Sequence, residues 1–110
     1  MRRKISQLPI VIAIFSLSVS LACYGQAAGQ TSYTAKCLMC HGTTGLGDTP
    51  PGKMMNVQPF NSTQVLNMSD QALIGVLMNG SGKMPAYRGK ISDTETNNLI
   101  LFIHQLQKNQ

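Results

Sequence analysis

Apolar positions in the last third of the chain recur at the period of a helix. In SDTETNNLILFIHQLQ, Leu99, Phe102, Ile103 and Leu106 stand at i, i+3, i+4 and i+7, which puts them on one face. Ser92 and Glu95 precede them in the S-x-x-E spacing of a capping box, so this helix has a defined start. Upstream, MSDQALIGVLMNG carries a second such pattern. Leu73, Val76 and Leu77 line a face, Ser69 is placed to cap, Asp70 complements the positive end of the helix dipole, and Asn79–Gly80 is a stop signal. A short helix is expected over 62–66, and another from about Gly29 to Met39.

The stretches between these patterns are punctuated by glycine and proline. TTGLGDTPPGKMMNVQPFNS reads mostly as loop, and GSGKMPAYRGKI forms a second loop between the last two helices. No segment alternates as a strand would, and no repeat or low-complexity tract is present. The fold class expected is all-α.

The beginning of the chain follows another order. Arg2, Arg3 and Lys4 precede an apolar run from about Leu8 to Ala22, and small residues follow in CYGQAAGQ. That succession is an export signal, with Gly25 and Ala27 suited to a cut after Ala27. Residues 1–27 are therefore read as signal and 28–110 as one domain. Two alternatives remain at this stage: Cys23 as the lipidated first residue of a lipoprotein, and an uncleaved anchor, the apolar run being slightly short of a bilayer span.

This division changes the meaning of the charge. The formal +5 includes the three basic residues of the signal. From Ala28 onward Lys36, Lys53, Lys83, Arg88, Lys90 and Lys108 stand against Asp48, Asp70, Asp93 and Glu95. No basic stripe is interleaved with aromatics, so nucleic-acid binding is not supported as a function class. A mature chain of about 83 residues without tryptophan has little core of its own, and exported domains of that size usually add a disulfide, metal or cofactor.

The candidate chemistry lies in KCLMCHG. Cys37 and Cys40 are three apart, so on a helix they face the same way, and His41 follows directly. C-x-x-C-H is the attachment signal for haem c. Two thiols on one side can add to the vinyl groups of one porphyrin edge, while the histidine supplies the proximal ligand. Leu38 and Met39 project elsewhere. Other chemistries use the same residue types. A thioredoxin-like dithiol needs a βαβ setting that the pattern lacks. A zinc site needs four ligands, nominally Cys37, Cys40, His41 and His104.

A sixth ligand is offered by GKMPAY. Met84 follows Gly80, Gly82 and Lys83, and Pro85 holds it extended, so its soft thioether can reach out of a loop that glycines let approach closely. Met54, Met55, Met68 and Met78 lack that setting and read as packing residues. His104, at a helix margin, reads as surface.

With C-L-M-C-H near the start, G-K-M-P-A-Y towards the end and a capped terminal helix, the chain from about Gly29 to Lys108 resembles the short bacterial monohaem class I cytochromes c. The resemblance implies three to four helices around one covalent haem c, held by Cys37 and Cys40, with His41 and Met84 as axial ligands. It matches Tyr33 to an aromatic often found there and Phe102 to one that packs on the first helix. It implies that a proline carbonyl, Pro50 or its neighbour Pro51, accepts the proximal histidine's N–H. It also offers Tyr87 as a hydrogen-bond donor near a propionate, or as packing. Lys53, Lys83, Arg88 and Lys90 would surround the haem, as propionate partners, as a docking patch for an acidic redox protein, or as plain solvated surface. The function implied is electron transfer in a respiratory or dehydrogenase chain outside the cytoplasm, by a soluble or membrane-tethered protein that is not an enzyme. The alternatives are a ligand-binding or peroxidase-like haem protein and a cytochrome subunit of a larger dehydrogenase or oxidase.

Overall fold

The computed structural model describes residues 23–110, and the charged and apolar segments expected to form an export signal lie outside them. Helix α1 covers residues 23–36 and α2 spans Leu38–His41. They are followed by α3 (Pro50–Met54), α4 (Thr63–Leu66), α5 (Asp70–Asn79) and α6 (Asp93–Lys108). Among the described residues there is no strand, only an isolated bridge between Ser81 and Met84, so the fold is all-α.

The two expected caps, Ser69 and Ser92, form, and Ser62 adds a third. Ser62 accepts from the Val65 N–H, Ser69 from Ala72 and Ser92 from Glu95, each satisfying an amide that the first turn leaves without a helical partner. Two elements differ from expectation. Helix α1 is already formed at Cys23, because nothing between Cys23 and Ala28 breaks a helix, and it ends at Lys36 instead of running to Met39. The loop after the C-x-x-C-H segment contains α3, where Thr49 caps and Pro50 and Pro51 occupy the first helical positions, sites that need no amide hydrogen. The described residues therefore hold more helices than the three to four expected, the additions being single turns.

The core forms where α1, α5 and α6 meet. Leu99, Phe102 and Ile103 are buried as the period requires, joined by Ile100, while Leu106 is half-buried at the margin. Leu73 and Leu77 come from α5, and Tyr33 and Phe60 complete the cluster. Tyr33 lies against Phe102 with ring centroids 5.1 Å apart, the contact between first and last helices that the resemblance implied. At Gly29 the two helices approach so closely that a Cβ would overlap the Asn98 carbonyl. Glu95 joins them again at the start of α6, accepting from Ser32 Oγ at 2.8 Å and from Lys36 Nζ at 2.9 Å. No described helix is long and apolar enough to cross a membrane.

Candidate functional site

The C-x-x-C-H segment is a turn in its own right. The Cys37 N–H still closes α1 by bonding to Tyr33, but the Cys40 and His41 N–H groups both return to the Cys37 carbonyl, at 3.2 and 2.9 Å. Cys37 thus caps α2 while Cys40 lies within it, and both carry free thiols, each half-buried. Burial pushes the Cys37 thiol up to about 11, an effect that Lys36 opposes. Met39, between the cysteines, is exposed, whereas Leu38 packs against the core.

Three contacts hold this turn. The Tyr33 hydroxyl donates to the Gly42 carbonyl at 2.6 Å, immediately beyond His41. The Thr49 hydroxyl donates to the Met39 carbonyl at 2.8 Å, with that of Cys40 at 3.1 Å, while accepting from the Gly52 N–H. A Cβ at Gly52 would overlap the Cys40 carbonyl, so glycine lets α3 close on α2. None of these contacts is written in the periodicity, although T-P-P-G is a legible start for α3.

His41 is held by stacking. Its ring lies 4.8 Å from that of Phe60 at 24°. Burial lowers its pKa, so the imidazole is neutral at physiological pH, the form that ligates metal. Its Nδ1 is buried without a hydrogen-bond partner. The bond expected with the Pro50 carbonyl is therefore not formed at that atom. Pro50 opens α3, and a helical carbonyl points along its own axis toward the helix C-terminus.

Met84 lies in the loop after α5, half-buried and packed against the core. Its carbonyl and amide pair with Ser81 at 3.2 and 2.9 Å. Gly80, with φ of 73°, turns the chain out of α5 in a conformation that favours glycine. Tyr87, three residues beyond Met84, donates its hydroxyl to the Lys36 carbonyl at 3.1 Å. Burial raises its pKa, and the nearby Cys37 and Cys40 thiols add to this. The loop is thereby brought to the residue preceding Cys37. Lys53, Lys83, Arg88 and Lys90 are all exposed, with Arg88 bonded to Asn79 at 2.8 Å.

A family model described as cytochrome c oxidase, cbb3-type, subunit III, matches residues 25–103. The chain belongs to this family. It is a small all-α monohaem class I cytochrome c, and membership implies one covalently bound haem c. Among curated relatives it is 26% identical over 90 residues to cytochrome c6 of Synechocystis sp., covering 82% of this chain and 72% of that protein. It is 29% identical over 79 residues to cytochrome c6 of Leptolyngbya boryana, covering 70% of this chain and 87% of that one.

The residues fit such a group. A half-buried neutral imidazole has a buried nitrogen uncommitted to the protein, and two free thiols stand on the adjoining turn. The competing chemistries do not fit. The described residues contain no βαβ unit and no cluster of three or more His, Cys, Asp and Glu side chains able to hold a metal. His104 bonds through Nε2 to Asp70 at 2.7 Å and through Nδ1 to Gln107 at 2.8 Å, tying α6 to the start of α5.

Proposed function

We propose that this cytochrome is a one-electron carrier working outside the cytoplasm, with haem bound through Cys37 and Cys40 and ligated by His41 and Met84. The supporting observation is the state of His41, half-buried, neutral and unpartnered at its buried Nδ1, directly after the cysteine pair. When bound, the group supplies reversible one-electron chemistry at iron. The chain's residues do the rest. His41 is held in position by its stacking on Phe60. Tyr33 and Thr49 fix the turn that carries both thiols. Met84 would offer a soft thioether, and ligation by a methionine together with a histidine would raise the reduction potential. No substrate is transformed.

Residues 1–27 are the export signal of this reading, and a respiratory or dehydrogenase chain is its setting. Redox proteins are the partners, and the exposed Lys53, Lys83, Arg88 and Lys90 would meet an acidic one. A second reading, a cytochrome subunit of a larger oxidase, is favoured by the description of the matching family. Co-purification with a larger complex separates the two.

The test is an absorption spectrum of the protein matured in cells with haem-attachment machinery. A c-type reduced spectrum together with a weak far-red sulfur-to-iron band in the oxidised form supports attachment and methionine ligation. Haem without that band removes Met84 from the iron and favours a ligand-binding or peroxidase-like protein. No haem refutes the proposal.

A further inference from the structure

The segment bearing Met84 is fastened almost entirely to its own side of the molecule. Gly80 bonds back to Val76, Ser81 and Met84 bond to each other, and the Tyr87 and Arg88 N–H groups bond to the Leu77 and Met78 carbonyls at 2.9 and 3.2 Å. These bonds close the segment on the last turn of α5. They would survive if segment and helix moved together away from the cysteine turn. Among the described residues, a single hydrogen bond crosses that gap, from the Tyr87 hydroxyl to the Lys36 carbonyl at 3.1 Å.

Its acceptor exists because of the C-x-x-C-H turn. In a continuous helix the Lys36 carbonyl would receive the Cys40 N–H, but at the Cys37 break that N–H goes to Cys37 instead. The turn thus leaves free a carbonyl one residue from Cys37, and Tyr87 takes it. The latch uses only the backbone carbonyl of Lys36, whose ammonium pairs separately with Glu95 on α6.

We propose that Tyr87 is a positioning residue, a latch whose hydroxyl on the Lys36 carbonyl holds the Met84 segment closed against the cysteine turn and so sets how readily Met84 leaves the iron. The proposal rests on the reading of Met84 as an axial ligand. Opening of the latch precedes entry of any external ligand, so the apparent affinity for such a ligand reports the open fraction.

The test is imidazole titration of the full haem-loaded ferric protein, followed by loss of the far-red band. Tyr87→Phe keeps the ring and removes the donor. It should bind imidazole about three- to tenfold more tightly than wild type, the range expected for one lost neutral hydrogen bond. Glu95→Gln weakens the α1–α6 contact without touching the latch, and should lower the melting temperature with imidazole affinity unchanged. Equal affinity in Tyr87→Phe and wild type overturns the latch. So does an equal gain in Glu95→Gln, which would mean general loosening. Absence of the far-red band in the wild type removes the ligand assignment itself, and the latch with it.

Discussion

Replacing Tyr33 by phenylalanine tests the link between the core and the cysteine turn with one atom. Tyr33 is 2% exposed, and its ring lies 5.1 Å from Phe102 and 6.3 Å from Phe60. Phenylalanine keeps those contacts, so the transfer and packing terms nearly cancel. The hydrogen bond to the Gly42 carbonyl at 2.6 Å is lost, and that buried acceptor keeps only the longer bond from the Gly45 N–H at 3.3 Å. One lost hydrogen bond costs about 0.5–1.5 kcal/mol. In a domain of this size that corresponds to a melting temperature lower by about 2–12 °C. The assay is thermal and guanidinium unfolding of the haem-loaded protein at neutral pH. The pH dependence gives a second, independent reading. Burial, with Cys37 and Asp48 adding to it, raises the Tyr33 pKa above the ordinary tyrosine value near 10.0. The folded state therefore retains a proton that the unfolded state loses. Tyr33's contribution is complete below about pH 10, and it is lost as pH rises toward and through the folded value. The advantage of wild type over Tyr33→Phe should accordingly narrow in that alkaline window. A difference below about 0.5 kcal/mol at neutral pH would refute the assignment of the Gly42 bond as a support of the turn.

Gly29→Ala should destabilise by about 1–3 kcal/mol, because overlap with the Asn98 carbonyl outweighs the gain of up to about 1 kcal/mol in helix propensity; an equally stable or stabilised variant in guanidinium titration would show that the helices separate at no cost. His104 has its pKa raised, first by its bond to Gln107 and then by Asp70. Its contribution is present below the unfolded value near 6.5 and lost as pH rises through the folded one. Melts of wild type and His104→Asn should therefore converge as pH rises above the ordinary imidazole range, and divergence there would reverse the sign. The haem-free chain, lacking its largest apolar group, should show no cooperative thermal transition; a sharp heat-capacity peak in apo-protein would contradict that.

Local signals foretold much of the site. Cys37, Cys40 and His41 are neighbours in the chain, so their chemistry needs only one turn of backbone to assemble. The caps at Ser62, Ser69 and Ser92 and the stripe of α6 follow from contacts spanning at most a few residues. Met84 was singled out by its glycines and by Pro85, and it lies in the loop those residues predict. The Pro50 carbonyl went the other way. The same prolines that seemed placed to meet His41 also make a good helix start behind Thr49, and the helix formed.

What the sequence alone determined is therefore the inventory: an all-α chain with a haem-attachment turn, and a methionine loop before a capped terminal helix. Tertiary structure decided which groups meet across it. It laid Phe60 under His41, and sent the hydroxyls of Tyr33 and Tyr87 to the Gly42 and Lys36 carbonyls. It also gave Glu95, still bonded to the Ser92 cap, a second role as the bridge from α6 to Ser32 and Lys36. Periodicity says which face of a helix is buried, but not the angle at which two helices cross or the path of a loop between them. Those depend on close approaches such as Gly29 to Asn98 and Gly52 to Cys40, where the absence of one Cβ sets the distance at which every other side chain finds its partner.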